Sequence, residues 1–192
     1  MTTPLRSISL LAKSIWENPT LKRRFDNQIR QTADANDDRE ATYPVVEPGG
    51  VEAARIHADF ARMLRGEEPK FPETAPALAN LRRELDRYGF VANRESQHVA
   101  SDELRVCGIP DATGTIDGYD TVIELKVVRW LPQFCRAHEL IQLMLYSMAR
   151  HGRAGDSLLI GLYVQPQAPF RTALRFVSNS RSFEPLVRQL AA

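Results

Sequence analysis

Apolar positions recur at helical intervals through the first half of the chain, then switch to a period of two. Over residues 7–31, Leu10, Leu11, Ile15, Leu21, Phe25 and Ile29 lie roughly on helical spacing, which predicts a helix broken in two at Pro19. Thr32–Glu40 (TADANDDRE) is acidic and rich in turn formers, so it reads as a loop or linker. After Pro48-Gly49-Gly50 a second helix is expected over 51–65, stopping at Gly66. A third follows Pro76 and stops near Gly89. Strands are then predicted over 90–99 and 103–114, followed by the hairpin-type turn pair Asp117-Gly118. Thr121–Val128 (TVIELKVV) is the strongest strand signal. A long amphipathic helix over 133–150, strands over 158–165 and 171–177, and a closing helix over 183–190 complete the pattern. Helices, three strands, helix, two strands, helix: this order predicts an α/β protein whose central mixed β-sheet is flanked by helices. Residues 1–40 read as an N-terminal helical segment with an acidic linker, and 41–192 as the main body of a single compact domain.

The central strand carries an anomaly. Side chains alternate along a strand, so Ile123, Leu125 and Val127 share one face while Val122, Glu124 and Lys126 share the other. A carboxylate and an ammonium inside an apolar strand are costly unless they pair or hold a metal. A Glu–Lys pair on a solvent-facing edge strand is the plainer account of the same pattern. Asp111 adds to it, standing thirteen residues before Glu124 across the Asp117-Gly118 turn. Antiparallel pairing through that turn brings the two carboxylates together, where they repel and call for a cation. Oxygen donors suit Mg²⁺ or Mn²⁺ better than zinc. A neighbouring lysine can position and deprotonate a water or steady a developing negative charge. These are the parts of a metal-assisted phosphodiester hydrolysis.

Composition narrows the field. The chain has 192 residues, 43% of them hydrophobic and 26% charged, which fits one soluble domain with a sizeable core. No apolar run approaches the roughly 18 residues that span a bilayer, and the N-terminus lacks the cleavage site of a signal peptide. Two cysteines, Cys107 and Cys135, are too few for a disulfide framework or a four-cysteine metal site, and a reducing cytoplasm is expected. The net charge of +1 conceals an asymmetry: from Lys126 onward nine Lys/Arg face three Asp/Glu, giving +6, against −5 before it. Arg129, Arg136, Arg150 and Arg153 fall in that basic half, which reads either as a phosphate-binding surface or as solvated helix faces.

Gly108-Ile109-Pro110-Asp111, then Glu124-Leu125-Lys126, then Gln142 and Tyr146 four residues apart, resemble the RecB-like branch of the PD-(D/E)xK nucleases. That branch is marked by G-x-x-D, (D/E)-x-K and a helix bearing Q-x-x-x-Y. Gly50 to His57, followed by Leu64-Arg65-Gly66, is similar to the histidine-bearing upstream helix of the branch, and Glu95 stands where a glutamate is common. The match runs from about Gly49 to Tyr146, with every element in order. His57 shares a helix face with Ala53, Ala61 and Leu64, so it points inward, as a core histidine or a ligand.

The resemblance implies a restriction-endonuclease-like core and a nuclease domain over 41–192. It assigns catalysis to Asp111, Glu124 and Lys126, and Mg²⁺ or Mn²⁺ to His57, Asp111, Glu124 and the Leu125 carbonyl. Gln142 and Tyr146 would contact the nucleic-acid backbone or the catalytic lysine and so hold the substrate, aided by Arg129 and Arg136. The implied reaction is hydrolysis of DNA at ends or single strands, leaving 5′-phosphates, in recombination, repair or a mobile element. A non-catalytic DNA-binding or assembly protein with the same fold is the alternative. Two departures stand out. The cysteines of the iron–sulfur relatives are missing, so no cluster is expected; and without a Walker motif, any unwinding would come from a partner such as a helicase or recombinase. Trp130 reads as core or rim packing, with base stacking as the alternative; His98, His138, His151 and Trp16 have no firm role.

Overall fold

A computed structural model describes residues 4–20, 23, 50–93, 97–177 and 180–191. The predicted acidic linker, most of the second half of the first predicted helix, and Glu95 lie outside the described residues. The chain folds as an α/β protein with mixed sheets flanked by helices. Its elements are β1 (Arg6–Ser7), α1 (Ile8–Glu17), α2 (Val51–Leu64), α3 (Ala75–Arg87), β2 (Val91–Ala92), β3 (Val99–Ser101), β4 (Val106–Gly108), β5 (Ala112–Ile116), β6 (Tyr119–Val127), α4 (Ala137–His151), β7 (Leu158–Val164), β8 (Thr172–Phe176) and α5 (Ser180–Ala191).

Five strands form the main sheet in the order β2-β5-β6-β7-β8, and β1-β4-β3 form a smaller one. β5 and β6 make a two-residue hairpin with Ile116 opposite Tyr119. Its turn has φ of 50° at Asp117 and 81° at Gly118, the left-handed pair that the Asp-Gly signal anticipates. β6 and β7 run parallel, joined by α4 as a crossover. The remaining neighbours in the main sheet are antiparallel.

Alternation along β6 assigns its two faces as expected. Ile123, Leu125 and Val127 join Ile160, Leu162 and Val164 of β7 in a core against Ile56, Phe60 and Met63 of α2 and Leu78, Leu81 and Leu85 of α3. Val122 and Leu159 join the other core, built on Ile141, Leu143, Met144, Leu145 and Met148 of α4 together with Ile8, Leu11, Ala12 and Ile15 of α1. The N-terminal helix is therefore packed into the same body as α4.

Two expected strands each prove to be two. Residues 90–99 contribute β2 to the main sheet and the first residue of β3 to the small one, and 103–114 contribute β4 to the small sheet and part of β5 to the main one. Arg105, at φ 53°, turns the chain into β4. Pro110 has no N–H to extend a ladder, so pairing stops there. Asp111 consequently sits where the chain crosses between the sheets. The helix expected over 133–150 begins at Ala137, because residues 129–136 run irregularly, with Arg175 Nε bonded to the Pro132 carbonyl at 2.8 Å. No helix among the described residues is long and apolar enough to cross a membrane.

Candidate active site

Glu124 and Lys126 stand on the α4 face of β6, at the end away from the hairpin turn. Glu124 is 5% exposed. Its Oε1 accepts from Lys126 Nζ at 2.9 Å and from Gln142 Nε2 at 2.7 Å. Oε2 is buried and has no hydrogen-bond partner among the described residues. The plainer account, a solvent-facing pair on an edge strand, is thereby overturned: β6 is central in its sheet and the pair is covered by α4.

The hairpin ladder pairs Ala112 with Ile123, so one step further the register carries Asp111 toward Glu124. Asp111 is held on both oxygens. Its Oδ2 accepts the Leu125 N–H at 2.8 Å, and its Oδ1 lies 3.1 Å from His57 Nδ1. His57 comes from α2, which packs on the opposite face of the sheet, and it meets Asp111 just before β5. Both remain partly accessible, with 35% of the His57 side chain and 24% of the Asp111 side chain exposed. They form the open rim of a site whose floor is Glu124. The N–H and C=O of one residue in an extended strand point to the same edge, so the Leu125 carbonyl faces the Asp111 side with its N–H.

Gln142 and Tyr146 lie one turn apart on α4 and face inward, not to solvent. Gln142 is the connector: its Oε1 accepts from Lys126 Nζ at 3.3 Å, and its Nε2 lies 3.0 Å from Ser9 Oγ and 3.2 Å from the Tyr146 hydroxyl. Tyr146 donates to the Ile109 carbonyl at 3.1 Å. Buried at 1% exposure, it braces the Gly108–Asp111 segment, while Gln142 makes the lysine contact that the resemblance also implies for this pair. Gly108 serves the same contact, since a Cβ there would lie 2.9 Å from Tyr146 Cε1. Ser9, at the start of α1, joins the network with no motif marking it. A lone serine 133 positions before its partner leaves no local signal.

Electrostatics follow from burial. Desolvation, reinforced by the Asp111 charge, pushes the Glu124 carboxyl up to about 8, against the opposing pull of Lys126. Burial works against the Lys126 ammonium, yet the adjoining Glu124 carboxylate, with Glu139 and Asp111 adding, holds its pKa above that of an ordinary lysine. Burial and Glu124 push the Tyr146 phenol up to about 12, so it remains a donor at neutral pH.

The donor set fits a hard divalent cation. A buried carboxylate oxygen without a partner, next to a second carboxylate that repels it, is the environment such an ion relieves. No three His, Cys, Asp or Glu side chains among the described residues are grouped to hold a metal ion together, which counts against His57, Asp111 and Glu124 as a joint ligand set. Mg²⁺ does not require three such ligands: it is commonly held by one or two carboxylates, keeping several waters. Asp111 and Glu124 would hold the ion, with the Leu125 carbonyl on the same side and His57 already bonded to Asp111.

The arginines divide. Arg129 is exposed, its guanidinium 5.8 Å from the centroid of the Trp130 ring. Arg136 is committed elsewhere. Its Nε donates to Glu139 Oε1 at 2.7 Å and its backbone N–H to Oε2 at 3.0 Å, closing the first turn of α4. Glu139 is fully buried and also takes the Tyr163 hydroxyl. This ties Arg136 down as a helix-start partner, which counts against the substrate contact expected of it. His138 Nε2 lies 3.8 Å from Glu139 Oε1, beside this cluster. Trp130 is 62% exposed, so core packing is overturned for it. No protein-family model and no curated protein matches this chain.

Proposed function

We propose that this chain is a metal-dependent nuclease with a restriction-endonuclease-like core of the PD-(D/E)xK type. It hydrolyses phosphodiester bonds of DNA, as an exonuclease working on ends or single strands in recombination, repair or a mobile element. The observation that carries the reading is the buried Glu124, with one oxygen unpartnered among the described residues, beside Lys126 and the Asp111 carboxylate. When bound at Asp111 and Glu124, Mg²⁺ or Mn²⁺ would supply Lewis-acid activation of water and of the scissile phosphate. Lys126, held by Glu124 and Gln142, carries its positive charge to the same place and orients the attacking water or offsets charge on the phosphorane. His57 fixes Asp111 at the rim, and Tyr146 and Ser9 hold the floor. Arg129, exposed beside Trp130, would meet phosphates, and a helicase or recombinase partner would supply any unwinding.

One observation favours a second reading, a non-catalytic DNA-binding or assembly protein that retains the fold. The Lys126–Glu124 pair with Gln142 is already a satisfied network on one oxygen. Cleavage of end-labelled single- and double-stranded DNA in Mn²⁺, Mg²⁺ or EDTA separates the two. Wild type should cleave only with metal, and Asp111→Ala and Lys126→Ala should not cleave. Inactivity of the wild type on linear, nicked and flapped DNA and on RNA, with either metal, would leave the second reading.

A further inference from the structure

Residues 128–136, which lead from β6 into α4, keep two large aromatic side chains in solvent, Trp130 at 62% and Phe134 at 57% exposure. The segment is nevertheless anchored along its length. Val128 N–H donates to the Val164 carbonyl at 2.9 Å, Gln165 Nε2 to the Arg129 carbonyl at 2.8 Å, and Arg175 Nε to the Pro132 carbonyl at 2.8 Å. Two exposed rings on a fixed backbone forgo burial that each would gain by folding inward, so the arrangement suits a ligand with flat apolar faces. Trp130 is four residues beyond Lys126, so their Cα atoms are no more than about 14 Å apart. Arg129, itself exposed, places a cation over the same ring.

We infer that Trp130 and Phe134 form a stacking platform that takes unpaired bases and so selects single-stranded over duplex nucleic acid at this site. The inference rests on the nuclease reading for its reason that a nucleic acid comes to this face. Aromatic faces beside cations bind single strands because every unpaired base presents a π-face and every nucleotide a phosphate. In a duplex the interior bases are already stacked on each other and cannot use the platform. Trp130 and Phe134 would thus set strand preference, while Asp111, Glu124 and Lys126 hold the chemistry.

The test is equilibrium binding without divalent cation, so that it does not depend on cleavage. Fluorescence anisotropy compares a labelled oligothymidylate with a blunt duplex of equal length. Trp130→Ala and Phe134→Ala should each weaken single-strand binding by about fivefold to a hundredfold and leave duplex binding unchanged. Trp130→Phe, which keeps a ring, should restore most of the loss. Thermal unfolding midpoints should stay at the wild-type value, since neither ring is buried. Equal loss on both ligands, no loss on either, or a wild type that binds no single strand would overturn the proposal. So would alanine variants that dissociate an oligomer with oligonucleotide affinity intact, because the patch would then be a protein interface. The cleavage assay is scored separately: metal-dependent cleavage with no effect of Trp130→Ala on single-strand affinity sinks the platform alone, and platform-dependent binding without cleavage sinks the nuclease alone.

Discussion

Titration of the buried carboxylate offers a direct handle on the centre. In EDTA, the Glu124 carboxyl is pushed from an ordinary 4.5 up to about 8, by burial first and the Asp111 charge second. A group whose folded pKa lies above its unfolded value binds more protons in the folded state, so stability falls as pH rises between the two values. Each unit corresponds to about 1.4 kcal/mol, so the metal-free protein should lose on the order of 3–5 kcal/mol between pH 4.5 and 8. Other shifted groups leave this window clear. Asp59 and Asp120 are held below their ordinary values and act under pH 4, while Lys126 is raised and acts above pH 10. For a chain of this size the loss corresponds to a fall in Tm of roughly 10 °C. Thermal unfolding followed by circular dichroism in EDTA from pH 4.5 to 8.5 would measure it, with Glu124→Gln as the reference that cannot titrate. Saturating Mn²⁺ should flatten the wild-type curve, because a bound cation favours the ionised carboxylate. A metal-free stability that is level or rises over this window, or a slope that survives in Glu124→Gln, would refute the reasoning.

Further tests address the supports of the site. Gly108→Ala puts a methyl 2.9 Å from the Tyr146 ring; forcing the buried ring aside should cost about 1–3 kcal/mol and slow cleavage, read as a lower urea midpoint and a lower turnover rate. Ser9→Ala removes a partner of Gln142 from a helical position that tolerates alanine; stability should change by about 1 kcal/mol or less, while cleavage drops about tenfold if Gln142 must be held to hold Lys126. Asp59 is fully buried and accepts from Lys70 N–H at 2.7 Å, Phe71 N–H at 2.9 Å and Thr74 Oγ1 at 2.8 Å. Asp59→Ala leaves those donors unpaired, so the unfolding free energy should fall by about 3 kcal/mol; because its pKa is depressed, wild type should also lose this support as pH drops below the ordinary aspartate value.

Periodicity made the local half of this protein legible. Alternation along residues 121–128 places Glu124 and Lys126 opposite Ile123, Leu125 and Val127, and a strand permits no other division of faces. The Asp117-Gly118 pair fixes the hairpin register, and that register carries Asp111 toward Glu124. The spacing of Gln142 and Tyr146 likewise puts both on one stripe of a helix, although spacing alone leaves open whether the stripe faces solvent or core. That choice was tertiary: α4 lies across the sheet with the stripe turned inward, so Tyr146 braces the Ile109 carbonyl and Gln142 meets Lys126. The division of 90–114 between two sheets, the capture of Arg136 by Glu139 and the arrival of Ser9 from α1 were decided the same way. Periods of 2.0 and 3.6 record which side of an element a residue occupies, because backbone geometry alone sets them. Which distant element packs against that side depends on how apolar faces from the whole chain share their cores, and no short window of sequence contains that information.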